Sequence, residues 1–162
     1  MKRQVLKFSW QRMDKLHRIA ADKVVQGNFE PELIVGVLRC GVVSAVHIAY
    51  ILGIRRVGAI YARTTPSDDV LVEKSIPPEI NIDFPKEEIS GKRILLIDTV
   101  MASGTTVSMC LSELRLCHPL EIRTLIIIDW PNSPYTSKSL QRPVPDYIVE
   151  TVNMWPDFPW EH

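Results

Sequence analysis

The sequence predicts an α/β domain with a parallel, twisted sheet flanked by helices. Three short runs, at residues 33–38 (LIVGVL), 94–97 (ILLI) and 125–128 (LIII), are apolar at consecutive rather than alternate positions. Strands covered on both faces have that pattern. Segments with helical spacing fall between the runs, and strands alternating with helices imply right-handed crossovers. The 162 residues suffice for one sizeable core and are too few for two ordinary ones. A single domain over residues 1–162 is therefore expected.

In chain order, Ser9 is placed to cap a first helix in which Trp10, Met13, Ile19 and Ala20 recur at roughly helical spacing, and Gly27-Asn28 supplies its stop. The 33–38 run is the first buried strand. Arg39-Cys40-Gly41 then leads into residues 42–52, apolar almost all round, which read as a buried helix closed by Gly53. Residues 56–61 are the next strand. The pattern breaks over residues 62–91, where four prolines, a Ser67-Asp68-Asp69 turn and scattered charges mark a long connection. Connections of that length are usually lids or mobile loops. Lys92-Arg93 opens the 94–97 strand, which is expected to end at Asp98. A turn of small polar residues, Ala102-Ser103-Gly104-Thr105-Thr106, enters a helix with Val107, Cys110, Leu111 and Leu114 on one stripe. The 125–128 strand ends at Asp129. The tail, residues 145–162, is rich in proline and aromatics, with Trp155, Phe158 and Trp160 close together.

Composition narrows the function classes. Nineteen basic and nineteen acidic side chains cancel, so no basic footprint for nucleic acid is present. Apolar residues at 46% and charged ones at 23% are ordinary globular values. No apolar run approaches the ~18 residues of a membrane span. The charged start lacks an apolar h-region, so no secretory leader is expected. Cys40, Cys110 and Cys117 are odd in number and lack CxxC spacing, which fits a reduced, cytoplasmic chain better than a disulfide framework.

Ligands of open parallel sheets sit beyond the carboxyl ends of the strands, where Asp98 is expected to stand. The turn at Ser103, Gly104, Thr105 and Thr106 places a glycine, three hydroxyls and unpaired amides at a helix start, an arrangement that suits a phosphate. Asp98 is the wrong partner for phosphate and a good acceptor for sugar hydroxyls. A phosphorylated sugar satisfies both groups. The same residues equally suit a strand end and a helix cap with no ligand, since caps are common.

Residues 94–106, reading ILLIDTVMASGTT, resemble the 13-residue signature of type I phosphoribosyltransferases, and Leu38-Arg39-Cys40-Gly41 resembles that family's diphosphate-binding loop. Asp146-Tyr147-Ile148-Val149-Glu150, followed by Trp155 and Pro159-Trp160-Glu161, is similar to the end of xanthine-guanine phosphoribosyltransferases. With Ser9-Trp10, the resemblance covers nearly the whole chain in order. It implies the type I fold, with a small C-terminal hood at residues 145–162 and a mobile lid at residues 62–91. The implied substrates are phosphoribosyl diphosphate and a nucleobase, with Mg2+ as cofactor. Asp98 would accept from the ribose hydroxyls and meet the metal indirectly, and Arg39, Cys40 and Gly41 would meet the diphosphate. Ser103, Gly104, Thr105 and Thr106, with the amide of Ala102, would hold the 5′-phosphate. Trp155 would lie against the base, unless it merely anchors the tail in the core. The family's loop often contains a cis peptide, for which Arg39–Cys40 is the bond considered. Relatives pair or form tetramers, which implies a homodimer or homotetramer.

Three residues depart from the family's pattern. Thr99 replaces the second residue of an acidic pair. Ala102 stands where purine-using members carry an aspartate that handles the base proton, help typically worth 10²–10⁴-fold. Uracil-using relatives have a small residue there, yet they end in a Gly-Asp tail that this chain lacks. Trp130 occupies the place of a lysine that recognises the 6-oxo group, and an indole offers one donor and no charge. These changes leave the phosphate turn intact. The leading expectation is therefore a transferase using a 6-oxopurine in nucleotide salvage. The alternatives are a catalytically weak phosphoribosyl-diphosphate-binding regulator and a transferase for another base such as uracil.

Arg63, at the start of the long connection, either reaches the diphosphate or is a solvated loop arginine. Cys40 reads as a small spacing residue rather than a nucleophile, because no base is placed near it. His17, His47, His118 and His162 show no metal spacing and read as packed or surface histidines. Asp129 and Asp157 have no clear role.

Overall fold

Ser9 turns the chain into α1 (Trp10–Gln26) by accepting the N–H of Arg12 at 3.2 Å, as its position in the sequence predicts. The computed structural model describes residues 5–63, 79–133 and 142–162. After α1 come β2 (Leu33–Leu38), α2 (Cys40–Leu52), β3 (Val57–Arg63), β4 (Glu79–Ile82), β5 (Arg93–Met101), α3 (Thr105–Arg115), β6 (Glu121–Asp129), β7 (Tyr147–Thr151) and β8 (Trp155–Asp157). A short strand, β1 (Val5–Lys7), precedes them all.

The main sheet has the order β4-β3-β2-β5-β6-β7, parallel throughout except for the β3–β4 pair. The two strands richest in consecutive aliphatics, β5 and β6, lie inside it, where both faces are covered. On one face, Leu95, Ile97, Leu125 and Ile127 pack with Met13 of α1 and Ile48 of α2. On the other, Ile94, Leu96 and Ile126 pack with Val107, Cys110 and Leu114 of α3, the stripe read from the sequence. Gly36 lets β2 approach α2 closely: a side chain there would stand 2.7 Å from Val42 Cα. Gly53 ends α2 in the left-handed conformation, φ 69°, where glycine carries no Cβ penalty.

The structure corrects three boundaries. β5 does not end at Asp98 but continues to Met101, because Val100 and Met101 keep pairing with Ile128 and Asp129. The 62–91 connection is not loop throughout. Residues 79–82 add β4 to the sheet edge, and Ile82 and Ile89 are buried against the α3 face; those two isoleucines outweigh the surrounding charge. Residues 64–78, the rest of the expected lid, lie outside the described residues. The tail is also divided. Its first part, β7, is the sixth strand of the main sheet, and β8 pairs with β1 in a separate two-stranded parallel sheet. Phe158 and Trp160 stack beside it, with centroids 5.0 Å apart.

Candidate functional site

The carboxyl end of β5 places Asp98 beside the start of α2. A Cβ added to Gly41 would lie 2.7 Å from the Ile97 carbonyl oxygen and 3.3 Å from Asp98 Oδ1. Only glycine lets α2 begin so near the carboxylate, so Gly41 and Asp98 share one site. Arg39 precedes α2, no side chain caps that helix, and the Val42 N–H donates to the Arg39 carbonyl at 3.3 Å. The Leu38–Arg39 peptide is cis; the sequence-based candidate, Arg39–Cys40, is the next bond. Arg39 and Cys40 line a cleft of about 520 Å³ with Val43, Trp160 and Glu161. Burial pushes the Cys40 thiol pKa up, which argues against a thiolate nucleophile.

Asp98 is half-buried, and loss of water pushes its carboxyl up from 3.8 to about 7, against the pull of the Thr99 and Val100 amides. The Thr99 N–H donates to Asp98 Oδ1 at 2.8 Å. Thr99's own side chain is fully buried and meets Ser44 Oγ at 3.0 Å. Any contact Thr99 makes with a ligand would therefore come through its backbone.

The phosphate-like turn begins three residues after Thr99. Gly104, the residue before α3, has φ 78° and no side chain of its own to cap the helix, and the Thr105 N–H donates to Ser103 Oγ at 3.4 Å. The Ser103 and Thr105 hydroxyls lie 3.0 Å apart, a contact that orients both, while Thr106 is half-buried in the first turn. Ser103, Gly104 and Thr105 open onto a second cleft of about 520 Å³, together with Ser108 and Pro143. The Gly104 Cβ position is not empty: it lies 2.4 Å from Pro143 Cδ. The glycine therefore answers to Pro143 as well as to whatever occupies the cleft.

Arg142 is a residue that sequence reasoning missed. Its Nε donates to the Ala102 carbonyl at 2.7 Å and its Nη2 to the Met101 carbonyl at 3.0 Å, while it pairs with the buried Asp129 carboxylate. One guanidinium thus ties the turn to the end of β6 and gives Asp129 a structural partner. The sequence shows only an arginine before a proline in a Pro-rich stretch, with nothing to identify its acceptors.

On the base side of the expected site, Trp130 is buried and meets Trp155 edge-on, centroids 5.4 Å apart at 85°. Trp130 Nε1 has no hydrogen-bond partner among the described residues, and a buried unpaired donor costs about 1–3 kcal/mol. Arg63 is the last residue of β3, opposite Glu79 of β4. Asp157 bonds His162 at 2.7 Å. Among the described residues no group of three or more His, Cys, Asp or Glu side chains is placed to hold a metal. No helix described is long and apolar enough to cross a membrane.

The phosphoribosyl transferase domain model matches residues 9–160. Among solved structures, the purine phosphoribosyltransferase of Pyrococcus horikoshii Ot3 is similar at 26% identity and TM-score 0.76, over 98% of this chain and 94% of that one. The xanthine-guanine-hypoxanthine phosphoribosyltransferase of Helicobacter pylori gives 21% and 0.74, over 98% and 94%. A hypothetical protein from Neisseria gonorrhoeae with bound ppGpp gives 19% and 0.78, over 100% and 92%. These last two likenesses are of fold. No curated protein matches the sequence.

Proposed function

The chain belongs to the phosphoribosyl transferase domain family, and on that footing we propose that it moves ribose 5-phosphate from phosphoribosyl diphosphate to a 6-oxopurine, acting as a cytoplasmic homo-oligomer in nucleotide salvage. The observation that carries this reading is the close approach of Gly41 to Asp98, which sets the start of α2 beside one carboxylate.

The α3 start and the hydroxyls of Ser103, Thr105 and Thr106 would hold the 5′-phosphate, where the helix dipole favours an anion. Asp98, ionised above about pH 7, would accept from the ribose hydroxyls. Arg39 and the amides of Cys40 and Gly41 would stabilise the departing diphosphate. Charge stabilisation of that kind is commonly the largest catalytic contribution. Magnesium would be held chiefly by the diphosphate oxygens, with Asp98 reaching it through hydroxyls or water, since the chain offers no ligand cluster among its described residues. When bound, the metal neutralises the leaving group. The buried Trp130 N–H, without a partner among the described residues, suits an oxo group on the base, and Trp155 would pack against its ring. The Pyrococcus relative is a purine enzyme by name, which favours the same base class.

Ala102 supports a second reading, binding without transfer. Its side chain supplies no acid or base, and its carbonyl is taken by Arg142. Diphosphate release with Mg2+, measured for xanthine, guanine, hypoxanthine, adenine and uracil, separates the two. Turnover of a 6-oxopurine is expected. Binding of the sugar diphosphate with no turnover of any base would establish the second reading.

A further inference from the structure

β5 ends at Met101, which pairs with Asp129 of β6. The next carbonyl, that of Ala102, lies beyond the ladder and needs another donor. Arg142 supplies it, with Nε donating to the Ala102 oxygen at 2.7 Å. Its Nη2 donates at 3.0 Å to the Met101 carbonyl, which also accepts the Trp130 N–H at 2.9 Å. The Met101–Ala102 peptide is thus held twice by its oxygen. Among the described residues, Arg142 alone holds the oxygen of the Ala102–Ser103 peptide. The guanidinium is itself paired with the Asp129 carboxylate, buried at the end of β6.

We propose that Arg142 is a positioning residue: by holding the Ala102 carbonyl, it turns the Ser103 N–H toward the 5′-phosphate of the substrate. This rests on the reading of residues 102–106 as the phosphate turn. The Ala102–Ser103 peptide is trans, so it is planar, with its C=O and N–H on opposite sides. Fixing the Ala102 oxygen on Arg142 therefore fixes the Ser103 N–H on the far side, away from the guanidinium. Ser103 lines the cleft of the turn together with Gly104 and Thr105. A flipped peptide would present its carbonyl dipole to the anion and repel it. Donors set in place before the charge arrives need no reorganisation when it does.

The role is one of geometry rather than charge. Asp129 offsets the guanidinium, so the pair brings no net charge to the turn. What the guanidinium brings is a planar fork, whose Nε–H and Nη2–H meet two successive carbonyls at once. A point-charge ammonium does not reproduce that fit. Pro143 follows directly, and a Cβ on Gly104 would overlap its ring. The same short segment thus meets the turn at Ala102 and at Gly104, and Ser103 is held between the two contacts.

The test compares two double variants in which the Arg142–Asp129 pair stays neutral overall. Glutamine has its amide nitrogen where arginine has Nε, and methionine has a methyl group at the same place. Arg142→Gln/Asp129→Asn therefore keeps a donor for the Ala102 carbonyl without any charge, and Arg142→Met/Asp129→Asn loses it at equal side-chain length. Changing Asp129 as well avoids leaving a buried charge unpaired. By calorimetry, the Gln variant should bind ribose 5-phosphate about tenfold more tightly than the Met variant, the low end of what one hydrogen bond to a charged group contributes. At saturating ribose 5-phosphate, where affinity no longer matters, the Ser103 amide proton should move downfield in wild type and in the Gln variant but not in the Met variant. The Thr106 amide should respond in all three, a separation that general loosening of the turn does not produce. Urea melts establish that each variant folds. Should the Met variant not fold, Arg142→Lys replaces it, with a methylene at the Nε position, a cation left for Asp129 and the same loss expected. Equal affinities in the compared variants, or a Ser103 shift that survives loss of the donor, overturn the proposal and leave the functional reading standing. Absence of ribose 5-phosphate binding by the wild type overturns both.

Discussion

On the α3 face of the sheet, Val107, Cys110 and Leu114 lie directly on Ile94, Leu96 and Ile126. On the opposite face, Ser44, His17 and Thr99 run as a polar chain beside Ala45, Ile48 and Ile97. Both faces support a helix that starts at the proposed site. The dry face holds α3 by apolar packing and shape, which respond little to pH. The polar face holds α2 partly through groups that titrate, and a buried hydrogen-bonded chain is costly to break. The difference teaches that the two halves of one ligand site are stiffened by unlike forces, so acid should loosen one and leave the other unchanged.

The largest test acts where the faces meet, at Asp98. Its pKa is raised from 3.8 to about 7, so the folded state binds its proton more tightly than the unfolded one. Its contribution to stability is fully present below about pH 4 and is lost as pH rises through about 7. Asp98→Asn should therefore stabilise the metal-free protein at pH 8 by about 2–3 kcal/mol, a figure reduced because water still reaches the group, and have little effect at pH 4. The same variant should lose about 10–100-fold in ribose 5-phosphate affinity, the worth of a charged hydrogen bond. Urea melts and calorimetry give both numbers. A destabilised Asn variant at pH 8 would mean that the carboxylate is not under strain.

The next test belongs to the polar face alone. His17 has a folded pKa of about 4, below its usual 6.5, so the unfolded chain binds this proton first. The stabilisation is complete above about pH 6.5 and falls as pH drops toward 4, by about 2–3 kcal/mol in all. His17→Leu should flatten the stability profile over that interval, whatever its effect at pH 8. Parallel wild-type and variant slopes would place the acid sensitivity elsewhere.

Much of this was legible in the sequence. The aliphatic runs of β2, β5 and β6 and the Ser9 cap gave the architecture, and the Ser103–Thr106 turn after Asp98 gave half of the site, because local pattern sets these features. What sequence did not reveal arises from pairings distant in the chain. His17 and His47 have no recognisable spacing, yet two helices on one face bring their rings to 2.9 Å. Arg142 reaches back 40 residues to the Ala102 carbonyl, and no local rule selects that acceptor. β4 was hidden because its Glu79-Ile80-Asn81-Ile82 alternation sits in a proline-rich, charged stretch that reads as loop. Gly104 was legible as a glycine the turn requires, but not for the nearest reason, which is Pro143.

That last point supplies the smallest test, on the dry face. Gly53 and Gly104 both have positive φ, 69° and 78°, so alanine at either costs about 1 kcal/mol or more in backbone strain. They differ in surroundings: a Cβ on Gly53 meets nothing within 4 Å, whereas one on Gly104 overlaps Pro143. Gly104→Ala should therefore cost about 1 kcal/mol beyond Gly53→Ala, the low end of overpacking penalties because Pro143 can shift. The excess should be the same at pH 5 and pH 8, since no titrating group takes part. Shifting Pro143 also pulls on neighbouring Arg142 and hence on the Ala102 carbonyl, so ribose 5-phosphate affinity should weaken in Gly104→Ala and not in Gly53→Ala. An excess that varies with pH would connect α3 to the polar face and remove the division between them.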